Sequence, residues 1–346
     1  MLTILVGCLF SLATAHLLKS SPRVVQVAGM LISFTVMFWL LDGIVQLTFG
    51  RDLFGVPLNQ RPGEPARVGI FFANPLTFGY YIPYFSAFPA IWCLHRPRGR
   101  LASACVLIAA GIITLTAGSR NAMLSYGLLL AALALLLALQ LPRTRRLGVL
   151  IGMPVLLAGL VSALHRFNAS FRSRFEQTLV VIRDPDYDSL NEALTWRLEI
   201  WEPAWQLISS HWLFGIGPNQ FRPAMRSLLS PDTWHARNGL QVMHAHQVLL
   251  EIALGTGIVG VLAFLAYYLY VCKKFWHYRH HLLLPDGFAL AGLLGFLLLW
   301  FPLGTQKNFY GSDQVFFTFY FLAVGFGVLA SRLSPQDDHG PVSEPI

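Results

Sequence analysis

Leu101–Leu141 reads LASACVLIAAGIITLTAGSRNAMLSYGLLLAALALLLALQL. It holds two apolar runs, Leu101–Gly118 and Asn121–Leu141, joined by Gly118-Ser119-Arg120. Each run is close to the ~20 residues a helix needs to cross the hydrocarbon of a bilayer. So short a junction places Arg120 at one membrane face. The same pattern recurs along the chain, with candidate spans near 2–18, 24–48, 68–94, 101–118, 121–141, 147–164, 247–271, 283–303 and 315–331. The chain is 55% hydrophobic and 12% charged, with a mean hydropathy of +0.55. That excess of apolar surface excludes a soluble domain and fixes the fold class as all-α, a polytopic membrane helical bundle of about nine spans.

Charge sets the expected orientation. Lys19/Arg23, Arg96/Arg98/Arg100, Arg143/Arg145/Arg146, Lys273/Lys274/Arg279 and Arg332 fall in alternate loops. By the positive-inside rule these loops are cytoplasmic. Nine spans then put the N-terminus outside, the C-terminus inside, and the segment Arg166–His246 outside. The chain divides into spans one to six (1–164), a large outer loop (165–246), spans seven to nine (247–332) and a cytoplasmic tail (333–346). The net charge of +8 is mostly topological and does not indicate nucleic acid. Cys8, Cys93, Cys105 and Cys272 lie in or beside spans, so no disulfide framework is expected in the loop.

The large loop holds eight arginines, eight acids and no lysine, with five of the nine tryptophans. Ser189-Leu190-Asn191-Glu192 has the form of a capping box. A helix from about Leu190 to Ser210 should follow, with Arg197, Trp201, Trp205 and Ile208 on one stripe. Tryptophan favours the headgroup layer, so this reads as an amphipathic helix on the outer membrane face; packing on the spans beneath is the alternative. Prolines 75, 83 and 89 should bend the third span, and Tyr80, Tyr81 and Tyr84 would then line a path for substrate.

Several side chains suit phosphate chemistry. Arg120 offers a planar fork of donors that keeps its charge, beside a helix start whose free amides favour anions. Taken alone, an arginine at the membrane edge is equally well explained by snorkelling. Arg197 has the same two readings, as do Arg67, Arg172, Arg174 and Arg222 more weakly. Lys307, on the last outer loop, is a further phosphate contact. His244 and His246 stand at the mouth of the seventh span, and either suits a general base near neutral pH. A metal site with His235 lacks a supporting cysteine or spaced carboxylate, so none is expected. Asp184-Pro-Asp186-Tyr-Asp188 fails as a calcium loop because Ser189 and Thr195 stand where its glycine and glutamate belong. Asn168-Ala-Ser170 fits a glycosylation acceptor, and Asp42 inside the second span is a buried partner or a cavity residue.

Thr116-Ala117-Gly118-Ser119-Arg120, Trp196-Arg197 through Trp201, Gly215-Ile216-Gly217-Pro218-Asn219-Gln220-Phe221 and His244-Ala245-His246-Gln247 through Glu251, Gly257 and Gly260 resemble the bacterial O-antigen ligase and polymerase superfamily. The resemblance implies a GT-C-like bundle with a periplasmic catalytic loop in the bacterial inner membrane. It implies metal-independent, inverting transfer of a glycan from undecaprenyl pyrophosphate to a lipid A-core acceptor, with membrane lipids as surroundings and no cofactor. The family's arginines correspond to Arg120 and Arg197, and its histidine to His246, with His244 as the fallback. Family ligases usually have about twelve spans, which suggests that N-terminal spans are absent here, and Gln247 stands where Asn is common. An O-antigen polymerase or a protein O-oligosaccharyltransferase shares the same residues. A transporter or flippase would instead place ionisable groups near the midplane. Convergence of Arg120, Arg197 and His246 on one cavity, within roughly 10 Å, is the geometric expectation.

Overall fold

A computed structural model describes residues 2–20, 22–59, 66–72, 75–96, 99–167, 172, 175–176, 179, 186–239, 242–284, 287–304 and 308–333. The helices, in chain order, are α1 (Leu2–Ser20), α2 (Pro22–Phe49), α3 (Pro75–Phe85), α4 (Ala87–Leu94), α5 (Gly99–Ala117), α6 (Arg120–Gln140) and α7 (Arg143–Phe167). There follow α8 (Tyr187–Ala193), α9 (Leu198–Ser210), α10 (Phe221–Leu228), α11 (Trp234–Arg237), α12 (Val248–His277), α13 (Phe288–Leu299) and α14 (Ser312–Leu333). Among the described residues there is no strand, only the isolated bridges Arg51–Pro57 and Asn59–Arg67.

Among the described residues, six helices are long and apolar enough to cross a membrane: Arg23–Phe49, Gly99–Ala117, Arg120–Gln140, Arg143–Ala163, Val248–His277 and Ser312–Ala330. The chain is therefore a multi-pass membrane protein. Leu5–Lys19 and Phe288–Leu299 are shorter apolar helices. The third expected span, 68–94, does not form one helix: residues 68–72 run without helix through a turn, and helix begins only at Pro75. It then breaks at Ser86 between Pro83 and Pro89 into α3 and α4, as missing proline amides require.

Helix α13 is the axis of the bundle, with all twelve of its residues buried. Every face of such a helix must be covered by protein, and α3, α4, α12 and α14 do so. Gly292 of α13 meets the backbone of α14 at Gly325, a close approach that only small residues allow. Helix α1 lies along α14, so both ends of the described chain pack together. Leu5, Leu9, Leu31, Leu101 and Leu262 are exposed on the outside of the bundle, as a lipid-facing surface requires.

Buried polar groups in α2 stitch the segment that follows it. The Asp42 carboxylate accepts from the Leu53 amide at 2.8 Å, so Asp42 is a structural partner rather than a cavity residue. The Gln46 side-chain oxygen accepts from the amides of Gly69 (3.0 Å) and Ile70 (2.9 Å), and its NH2 donates to the carbonyls of Val56 and Pro57. One glutamine thus fixes the chain on both sides of Arg67.

The large polar segment differs from its sequence reading in two ways. Its first helix is capped by Asp186, whose carboxylate accepts from the Ser189 amide at 2.7 Å, so the capping box at Ser189 is not used. The carboxylate three residues earlier captures that amide first and starts the helix at Tyr187. The expected single helix is also two, α8 and α9, separated by Thr195 and Trp196 with φ of 60° and 59°. Asn191 spans the break, its side-chain oxygen accepting from the Leu198 amide at 3.1 Å and its carbonyl from the Trp196 amide at 2.7 Å.

The segment docks on an interruption of α12. Gly257 has φ 65° and ψ −162°, and around it the Ile216 amide donates to the Leu254 carbonyl (2.7 Å) and the Ile258 amide to the Trp212 carbonyl (2.8 Å). A Cβ on Gly257 would run into the Leu213 backbone, so the docking needs glycine there. Ile200, Ala204, Phe221, Met225, Val242, Ala245 and Leu254 form a second apolar cluster under α9. The buried face of α9 is therefore the Ile200/Ala204 stripe. Trp205 is exposed with Trp212 and Phe214, which form an outward aromatic surface.

Candidate functional site

The junction between α5 and α6 opens on a cavity of ≈ 310 Å³ lined by Arg67, Tyr80, Ser119, Arg120, Glu192 and Arg197, among others. Three separate stretches of sequence thus bring three arginines to one space, against one glutamate. Each is placed by a local device. Ser119 caps α6, its hydroxyl accepting from the Ala122 amide at 3.3 Å, and Gly118 turns the chain with φ 78°. Arg120 is therefore the first residue of α6, at the positive end of the helix dipole. Arg197 is the N-cap of α9, delivered by the left-handed turn at Thr195 and Trp196. Arg67 is held by the bridge to Asn59 and by the bond that the Gly69 amide, two residues downstream, donates to the Gln46 side-chain oxygen.

Burial lowers the Arg197 pKa from its ordinary value; the Tyr80 side chain opposes this and the Arg120 charge adds to it. The guanidinium remains cationic, because the ordinary arginine value lies so far above neutrality. Among the described residues Arg120 and Arg197 make no ion pair, and two like charges held together store repulsion that an anion between them relieves.

His246 sits at the mouth of α12, coupled to Arg197. Its pKa is lowered well below the ordinary imidazole value, first by burial, then by the charges of His244, Arg197 and His235. The ring is thus neutral at pH 7, the state a general base needs. His244 packs beside it with ring centroids 3.8 Å apart, and the His246 amide donates to His244 Nδ1 at 3.3 Å. His246 has φ 56°, a left-handed conformation that costs of order 1–3 kcal/mol and persists only where its surroundings enforce it.

The enforcing contacts converge on Ala245, which is fully buried. Its amide donates to the Glu251 carboxylate at 2.7 Å, and its carbonyl accepts from the Trp201 indole Nε1 at 2.9 Å. Gln247 completes the clamp as N-cap of α12: its oxygen accepts from the Leu250 amide (2.6 Å) and its NH2 donates to the Pro302 carbonyl (2.9 Å). The glutamine caps as an asparagine would, and its extra length reaches a second loop. Behind Arg197, the Glu199 carboxylate accepts from the Trp234 amide and pairs with His235 Nδ1 at 3.2 Å. Trp196 and Trp234 stack with centroids 5.7 Å apart.

Of the residues singled out from sequence, Arg67, Tyr80, Arg120 and Arg197 line the cavity; His246 and His244 are not among its lining residues, and His246 is linked to it by the electrostatic effect of Arg197. Tyr81 and Tyr84 do not line it either. Tyr81 is turned by about 100° from Tyr80, whereas Tyr84 lies one turn further along; both rings are buried in the bundle, with the Tyr81 hydroxyl 3.2 Å from Asp313. Arg172 instead donates to the His165 and Arg166 carbonyls. Lys307, Arg174, Asn168 and Asp184 lie outside the described residues. Among the described residues no group of three or more His, Cys, Asp and Glu is placed to hold a metal ion. Sequence reasoning missed Gln46, Asn191, Trp201 as a donor, and Glu251. Only the last carried a signal, as an isolated acid in an apolar run.

Residues 104–265 match the family described as O-Antigen ligase. Among curated proteins, none matches the chain.

Proposed function

From the match of residues 104–265 to the O-antigen ligase family, we propose that the chain belongs to the O-antigen ligase superfamily and transfers a glycan from undecaprenyl pyrophosphate to the sugar of a lipid A-core acceptor at the periplasmic face of the inner membrane. The observation that carries this reading is the cavity that holds Arg67, Arg120 and Arg197 against Glu192, with a buried neutral imidazole under the influence of Arg197.

Arg120 and Arg197 hold the donor's pyrophosphate, with Arg67 as a third contact. His246 takes the proton of the acceptor hydroxyl as its oxygen attacks the anomeric carbon. The bond from that carbon to the pyrophosphate oxygen breaks, and the lipid pyrophosphate leaves as an anion. Attack opposite the leaving group inverts the anomeric centre. The guanidiniums stabilise charge that grows on the leaving oxygen, which is where fixed electrostatic groups help most. The positive charge comes from side chains, so this route needs no cofactor. Tyr80 faces the same space and supports the glycan.

The test offers purified protein a polyprenyl-pyrophosphate glycan with lipid A-core, with a second repeat unit, or with a protein acceptor. Transfer to lipid A-core alone supports the ligase. Transfer to the repeat unit or to protein identifies a polymerase or a protein oligosaccharyltransferase instead. Arg120→Ala, Arg197→Ala and His246→Ala should each abolish transfer while the protein still inserts; near-normal transfer by all three overturns the assignment.

A further inference from the structure

Helix α10 carries Arg222 and Arg226 one turn apart, and therefore on one face. With Met225, Leu229 and Val242 they line a second cavity, of ≈ 270 Å³, distinct from the first. None of its lining residues is acidic. The Nε of Arg222 is buried, and among the described residues Arg226 makes no ion pair. Two guanidiniums on an otherwise apolar wall suit an anion attached to something with an apolar face. Planar forks match the oxygens of a phosphate, and methionine, leucine and valine match the C–H face of a sugar ring. The volume lies at the small end of ligand pockets and fits about one sugar unit.

The cavity shares a wall with the catalytic loop. Met225 and Val242 belong to the apolar cluster that also holds Ala245, between His244 and His246. Val242 is four residues from His246, so their Cα atoms lie within about 14 Å. A short oligosaccharide anchored at α10 therefore reaches the imidazole.

We propose that this second cavity is an acceptor subsite that takes a phosphorylated sugar, gripped by Arg222 and Arg226, so that a hydroxyl further along the acceptor meets His246. The proposal rests on the glycosyl-transfer reading for its biological meaning, but the binding it requires is measurable without transfer.

Full-length protein in detergent, carrying Arg120→Gln and Arg197→Gln to silence the first cavity, is titrated by calorimetry with glucose 6-phosphate, glucose and inorganic phosphate. Saturable binding of glucose 6-phosphate is expected, with none of glucose and weaker binding of inorganic phosphate. Adding Arg222→Gln and Arg226→Gln should weaken it at least about tenfold, the loss expected for one charge-assisted hydrogen bond, and Arg222→Lys with Arg226→Lys should restore part of it. The exposed Arg226→Gln alone serves if the double change fails to fold. Absence of saturable binding, equal binding by the Gln variants, inorganic phosphate as tight as the sugar phosphate, or displacement by phosphatidylglycerol micelles each overturns the subsite. In transfer assays with Arg120 and Arg197 intact, Arg226→Gln should raise KM about tenfold for a phosphorylated acceptor, with kcat held, and leave a dephosphorylated acceptor unchanged. If the unaltered protein transfers to no acceptor, the glycosyl-transfer reading fails, while the calorimetric result stands.

Discussion

Trp201→Phe removes one hydrogen-bond donor while leaving most of an aromatic ring in place, and it tests how His246 is held. The indole of Trp201 donates to the Ala245 carbonyl at 2.9 Å, and Ala245 is fully buried, so no water replaces the lost donor. A buried acceptor left unsatisfied costs about 1–3 kcal/mol. The left-handed backbone at His246 costs a similar ~1–3 kcal/mol. Against that strain the loop retains the bond from the Ala245 amide to the Glu251 carboxylate, worth about 1.5–3 kcal/mol. With both clamps the strained conformation wins; with one, the balance falls close to zero. The equilibrium constant for His246 in place should drop by roughly 5- to 150-fold, the equivalent of 1–3 kcal/mol, and a balance near zero leaves about half of the molecules or fewer in place. The assay is the initial transfer rate of purified protein at saturating donor and acceptor, beside a thermal melt that confirms the fold. A merely structural loss would not change the pH profile. Release of His246 from its buried place should return its pKa toward that of an ordinary imidazole and move the acid limb of the rate upward. A variant with the parent rate and an unchanged acid limb refutes the clamp.

The remaining predictions follow from the same geometry. His246 titrates below its ordinary value of 6.5, so the transfer rate should stay flat from neutral pH down through 6.5 and fall only in more acid solution. Arg197→Gln removes one of the charges that oppose protonation, so any residual activity should show that limb at higher pH, read from a pH–rate profile. The stability sign is the same: the unfolded ring binds a proton below about 6.5 while the folded one resists, so this contribution is full above 6.5 and declines as pH falls, as melting against pH will show. Arg197→Lys keeps the charge but loses the planar fork, and should cost at least about tenfold in kcat/KM where the pyrophosphate is held by two oxygens. Gly257→Ala puts a Cβ against the Leu213 backbone at a positive φ, and should destabilise docking of the polar segment by more than about 1 kcal/mol. Limited proteolysis between 186 and 239 will detect it.

How much was legible in the sequence follows from the range of each interaction. Insertion into hydrocarbon depends on a window of about 20 residues, so the runs at 101–118 and 121–141 announce their helices directly. The Asp186 and Ser189 caps lie three residues apart and each satisfies a local rule; which one wins depends on the path of the chain into the helix. The break at Thr195 and Trp196 has no proline or glycine to signal it. It exists because Asn191 and the cluster beneath Ile200 hold both sides. The same limit separates Tyr80 from Tyr81, which only the rotation of a packed helix distinguishes.

Composition and spacing therefore determined the helical membrane class and nominated Arg120, Arg197 and the pair His244 and His246, because hydropathy and charge are properties of the residues themselves; the family resemblance singled out His246. Only the tertiary structure decided that Arg67 shares a cavity with Arg120 and Arg197, that Tyr81 does not, and that Trp201 and Glu251 grip the residue beside His246. Those contacts connect positions from 6 to 130 residues apart in the chain. A hydrogen bond of 2.9 Å or a cavity shared by three arginines exists only once the backbone has brought its parts together.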